Sequence, residues 1–148
     1  MPSYSALSPV SAGVYTALNV AAVTNLATGG VGDDLGQRVP ATDGSFATFV
    51  LFEVHETPIG GFGTKAGVTG QLPEIDLLVH VFAQFDGMST VQAAMNQVIA
   101  ALVSPPTVSG YASWAIFHDE TLNLGDQLVA GLKVKELVAR FRLYVELT

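Results

Sequence analysis

Apolar residues in the first thirty positions return at the spacing of a helix: Val10, Val14, Leu18, Ala21 and Ala22. Ser8-Pro9 in front of them reads as an N-cap followed by a proline at the first helical position. Asn19 divides the run into a longer helix and a short one ending near Leu26, and Gly29, Gly30 and Gly32 stop it. Val31 to Ser45 then reads mainly as loop, with room for a short strand at Arg38-Val39.

The period changes to two in the middle of the chain. Phe46 to Glu56 predicts a strand with Val50, Phe52 and Val54 on one face. Leu72 to Ala83 predicts another, with Ile75, Leu77, Val79 and Val81 on one face. Together they form a hairpin whose tip, Thr57 to Gln71, holds Gly60, Gly61, Gly63, Gly67 and Gly70. Hairpin loops usually run about 2–5 residues, so a tip this long points to function or to disorder in the free subunit.

Ser89-Thr90-Val91-Gln92 has the form of a capping box. Behind it Val91, Ala94, Met95, Val98, Ile99 and Leu102 share one helical face, and Ser104-Pro105-Pro106 ends the helix. Gly110 to His118 predicts a strand with Ala112, Trp114 and Ile116 opposite Tyr111, Ser113, Ala115 and Phe117. Asp119 to Leu132 reads as a turn or loop. Val134 to Leu147 is the last strand, with Leu137, Ala139, Phe141, Leu143, Val145 and Leu147 on one side and Glu136, Arg140, Arg142, Tyr144 and Glu146 on the other. The order predicts a single α+β domain over residues 1–148: a mainly antiparallel four- to five-stranded sheet with two main helices packed on one face.

Charge adds a constraint on strand order. A hairpin centred near Thr64 sets Glu53 opposite Asp76, and like charges directly opposite are destabilising. Arg140 and Arg142 are the basic residues placed to compensate, so the last strand is expected beside this hairpin.

Composition narrows the function. Only 13% of residues are charged, against about 25% in ordinary soluble domains, and the net charge is −7. Such a chain lacks the basic footprint that grips nucleic acid or an anionic membrane. The absence of cysteine excludes disulfides and thiol chemistry. No charged side chain occurs from Met1 to Gly32 or from Gly87 to Phe117. Neither run is a membrane span, because polar residues, Gly or Pro interrupt every apolar stretch. Neither is a signal peptide, since no basic residue opens the chain. Interface cores are depleted in charge, which makes burial against other subunits the sharper reading. The outer face of the second helix, Thr90, Gln92, Ala93, Asn96, Gln97 and Ala100, is small, polar and uncharged, and is one expected partner surface. The glycine-rich tip, with Gly60, Gly61, Phe62, Gly63 and Lys65, is the other.

Candidate chemistry is sparse. A metal site would draw on His55, His80, Glu53 and Asp76 across the hairpin, but ligand types without closed geometry read better as a solvated polar sheet face. His118-Asp119-Glu120 reads as a strand end. No G-x-S-x-G elbow is present, and Gly60 to Lys65 lacks the spacing of a phosphate loop. No catalytic, metal-binding or cofactor-binding residue is assigned.

In element order and short motifs the chain resembles the tail-terminator or tail-completion proteins of long-tailed bacteriophages and gene-transfer particles. The similarity runs through Val14-Tyr15-Thr16-Ala17-Leu18 in the first helix, the loop Val31 to Pro40 with Asp33-Asp34 and Gln37, the strand Phe46 to Glu56 and its hairpin, the second helix, and Arg140-Phe141-Arg142 in the closing strand. The resemblance implies a virion structural protein that is not an enzyme and needs no cofactor. It implies a homo-oligomeric ring, usually of six, at the head-proximal end of the tail. Its partners would be the tail tube protein and the head–tail connector or neck proteins, assembly would take place in the host cytoplasm, and DNA would pass through without specific binding. A connector or minor tail subunit is the neighbouring alternative, and a small α+β ligand-binding or metal-dependent enzyme domain using the His55/His80 face is a third.

Overall fold

The computed structural model describes residues 7–33, 47–57, 74–84, 88–129 and 132–147. The chain opens with helix α1, Leu7–Leu18, and a single turn α2, Ala21–Thr24. Val10, Val14, Leu18 and Val23 are fully buried, as the helical period requires. The helix already includes Ser8 and Pro9 in its first turn, starting two residues earlier than the capping signal suggested. The break after Leu18 falls beside Asn19, where the sequence placed it. Gly30 then adopts φ 91°, a conformation side chains resist, and turns the chain into the short strand β1, Val31–Gly32. Gly29 N–H donates to the Thr48 carbonyl at 2.7 Å and Val50 N–H to the Gly30 carbonyl at 3.0 Å, anchoring this segment to the next strand. Val31–Gly32 is thus strand where the sequence predicts loop, and Arg38-Val39 lies outside the described residues.

Four strands follow: β2 Phe49–Thr57, β3 Glu74–Gln84, β4 Tyr111–Val129 and β5 Leu132–Leu147, with helix α3, Met88–Ala101, between β3 and β4. The sheet order is β1-β2-β3-β5-β4; β1 runs parallel to β2 and every other pair is antiparallel. The α+β class and the five strands agree with the sequence. The hairpin register does not: Glu53 pairs with Leu78 and Asp76 with His55. This is a slip of two residues from the expected pairing. It preserves every side chain's face and avoids the carboxylate–carboxylate pair. β5 does lie beside β3, and Arg140 reaches Asp76 at 3.4 Å.

The second correction concerns Asp119 to Leu132, expected as a turn or loop: residues 119–129 are strand. β4 continues to Val129 and pairs with β5 along its whole length. Its register steps by one residue at Trp114, Asp119 and Leu124, and each bulge resets the alternation. Trp114 and Ile116, expected on one face, therefore separate: the Trp114 indole bonds Glu146 on one side, and Ile116 packs against the core on the other.

The helices lie on one face of the sheet. Val50 and Phe52, the odd positions from Ile75 to Ala83, and Leu137, Ala139, Phe141, Leu143 and Val145 form one core with α1, α2 and α3. α3 contributes Val91, Ala94, Met95 and Val98, with Leu102 just past its end and Ile99 half-buried, the face its period predicted. Its capping box is not realised: Ser89 sits inside the helix, and the Gln92 amide donates to Asn96 at 2.9 Å. On the far face of the sheet Phe49, Leu51, Phe82 and Val134 make a second small buried cluster, with the Phe49 and Phe82 rings stacked at 4.8 Å.

Two stability outcomes follow. Phe141 is 1% exposed at the centre of the core, so Phe141→Ala is expected to cost about 3–5 kcal/mol, read as a lower urea midpoint at unchanged slope. Gly13→Ala should gain about 1 kcal/mol of helix propensity. Yet a Cβ there would run into the Thr107 carbonyl oxygen, part of the backbone that crosses under α1. Sterics should prevail, with a net loss of about 1–3 kcal/mol by the same measurement.

Candidate interaction surfaces

The α3 surface stands where the sequence put it. Thr90, Gln92, Asn96 and Ala100 are exposed and Ala93 and Gln97 half-buried, all on the side away from the core. The Gln92–Asn96 bond satisfies two of these side chains within the helix. No charge interrupts the face. The other expected partner surface, Gly60, Gly61, Phe62, Gly63 and Lys65, lies outside the described residues.

The far face of the sheet carries the charges. His80 stands between two carboxylates: its Nδ1 is 3.0 Å from Glu136, which is 4% exposed, and its Nε2 is 3.4 Å from Glu53. His55 lies across from Asp76 and takes no part in this chain. The four residues weighed as metal ligands are thus divided, and among the described residues no group of three or more His, Asp or Glu side chains could hold a metal ion.

Next to this lies a cluster built by β4 and β5. Arg142 Nε donates to both Asp119 oxygens, at 3.0 and 2.8 Å, and Nη1 donates to the Tyr144 hydroxyl at 3.3 Å. Hydrogen bonding to Asp119, and then its charge, hold the guanidinium still more firmly protonated than usual. The same guanidinium lies 5.8 Å from the Phe117 ring, which meets Tyr144 edge-on at 6.1 Å. Trp114 Nε1 donates to Glu146 at 3.0 Å. Two of the bulge residues, Trp114 and Asp119, are therefore the ones that reach across to β5. Trp and Arg fixed by hydrogen bonds, with Tyr, are the side chains that dominate interface energetics.

Sequence reasoning missed β4 as a surface. Trp114, Phe117, Leu122, Leu124 and Leu128 are all large, apolar and exposed along it, Leu128 at 77%. The signal was present but hidden by the bulges. Skipping one residue in five, at Trp114, Asp119 and Leu124, makes the pairing with β5 continuous. Gly125, at φ 79°, with its N–H bonded to the Asn123 side chain at 2.8 Å, is the turn-like element that made the segment read as loop.

At the opposite end of the sheet, α1 and β1 enclose an open groove of about 510 Å³ lined by Ser11, Ala12, Tyr15, Val31, Asp33 and Phe52. Leu7, Tyr15, Val20 and Leu26 are exposed on the same α1–α2 region. Among the described residues no helix is long and apolar enough to cross a membrane.

No protein-family model and no curated protein matches the chain. Among solved structures, a chain from the virion of a native gene transfer agent particle shares the fold, with a TM-score of 0.73 and 22% sequence identity over 97% of this chain and 99% of that one. The two chains are therefore alike in fold almost from end to end.

Proposed function

We propose that this chain is a structural protein of a phage-like virion, and within it the tail terminator: a ring-forming subunit at the head-proximal end of the tail tube that stops tube growth and joins the tail to the neck. The observation that carries this reading is the near end-to-end likeness to a chain of a gene transfer agent virion.

Three features support the reading. The uncharged α3 face suits burial against other virion proteins. The polar side chains of the far sheet face engage one another, as Glu53–His80–Glu136 and Asp119–Arg142 do, which suits a structural surface. The net charge of −7 suits a ring, six-membered by analogy, through which DNA slides, because like charge gives no counterion-release gain. Neither a cofactor nor a reaction enters the proposal.

The test is a set of particles assembled without this protein and imaged by electron microscopy. Tails of uncontrolled length are expected. Tails of normal length detached from heads would instead assign the chain to the connector, and normal joined particles would sink the virion role. A finer outcome concerns α3. Gln92→Lys with Asn96→Glu changes only exposed positions and should move stability by no more than about 0.5 kcal/mol each. Complementation with this variant should nevertheless yield at least tenfold fewer finished particles, counted by infection or transfer titre.

A further inference from the structure

The sheet face turned away from the helices pairs an aromatic ring with a carboxylate at two places along β4 and β5. At the first, the pair is Phe117 and Asp119, and Arg142 fills it. Its Nε donates to both Asp119 oxygens, at 3.0 and 2.8 Å, and its guanidinium carbon lies 5.8 Å from the centre of the Phe117 ring. At the second, the Trp114 indole N–H donates to Glu146 Oε2 at 3.0 Å, and no cation among the described residues joins them. We propose that Trp114 and Glu146 form a seat for the guanidinium of an arginine in a basic segment of another protein.

A bulge builds the seat. Ser113 pairs with Val145 and Ala115 with Tyr144, so Trp114 is the extra residue between them, and bulges re-aim side chains. The bond to Glu146 holds the indole in place while leaving Trp114 62% exposed. Glu146 is half-buried, and its Oε1 has no partner among the described residues. A fixed ring and a carboxylate oxygen with spare accepting capacity therefore stand side by side. Indole is the best aromatic face for a cation. A planar guanidinium can stack on such a face and donate to a carboxylate at the same time, whereas an ammonium offers a point charge and no plane.

Charge selects the occupant. Lys135, Arg140 and Arg142 on β5 already hold Asp126, Asp76 and Asp119. Moving Arg142 to Glu146 would give up both of its bonds to Asp119 and its contact with Phe117. The cation must then come from outside, and a chain of net charge −7 attracts basic partners. An apolar occupant would strip water from Glu146 and offer no donor in return, which is costly. An acidic one would add like-charge repulsion. An arginine meets both requirements, as Arg142 does at Phe117 and Asp119.

Trp114 is the single tryptophan of the chain, so its fluorescence reads the seat directly. The probe is an end-blocked Gly-Arg-Gly tripeptide, titrated at low salt into the purified full chain. A saturable change in emission is expected. The lysine counterpart should bind about threefold more weakly, and the citrulline counterpart, alike in shape but uncharged, should leave emission unchanged. Glu146→Gln keeps an acceptor for the indole and removes the charge, and should weaken the arginine peptide about fivefold. Glu120→Gln removes an exposed carboxylate that pairs with Arg140 on the same face, and should leave binding as in the unaltered chain. No saturable change, equal binding by Glu146→Gln, an equal loss in Glu120→Gln, or a lysine peptide that matches the arginine peptide would each overturn the assignment. Tail length in particles lacking the protein tests the terminator reading separately, so either can fail while the other stands.

Discussion

The fold turns on β5. It lies between β3 and β4, and its odd positions from Leu137 to Val145 meet both helices through one continuous core. Its pairing with β3 is unbroken over eleven residues, from Gln84↔Val134 to Glu74↔Tyr144. Because the side-chain period of a strand is two, a one-residue slip there would send Phe141 and Leu143 to the far face and Arg140 and Arg142 into the core. Burying an unpaired guanidinium costs several kcal/mol, so the register is strongly specified. Everything outside β5 inherits its alignment, including the position of β4, which touches the rest of the sheet only through it.

The same strand manages the charge. Lys135, Arg140 and Arg142 all sit on β5, and each reaches a different aspartate, Asp126, Asp76 and Asp119. Each pair is partly exposed and worth about 0–1 kcal/mol. Their value is in placement more than in energy. By gathering these cations on β5, the chain keeps basic charge away from α1, α2 and α3. Those surfaces are neutral and carry a few exposed apolar side chains, Leu7, Tyr15, Val20, Leu26 and Met88 among them.

What could be read from the sequence follows from this division. α1, α3 and the faces of β2, β3 and β5 were legible, because each has one buried side and an unbroken period. Placing β5 beside the first hairpin was legible too, from the need to neutralise Asp76. The hairpin register was not. Turn geometry fixes it, and a fifteen-residue tip from Thr57 to Gln71 gives no turn type to reason from. β4 failed for a different reason. Three bulges shift its alternation, and Asn123-Leu124-Gly125-Asp126 carries turn chemistry inside a strand. The uncharged outer face of α3 was legible from a simple absence of charge, whereas the exposed apolar side chains of β4 were visible only once its length and edge position were known.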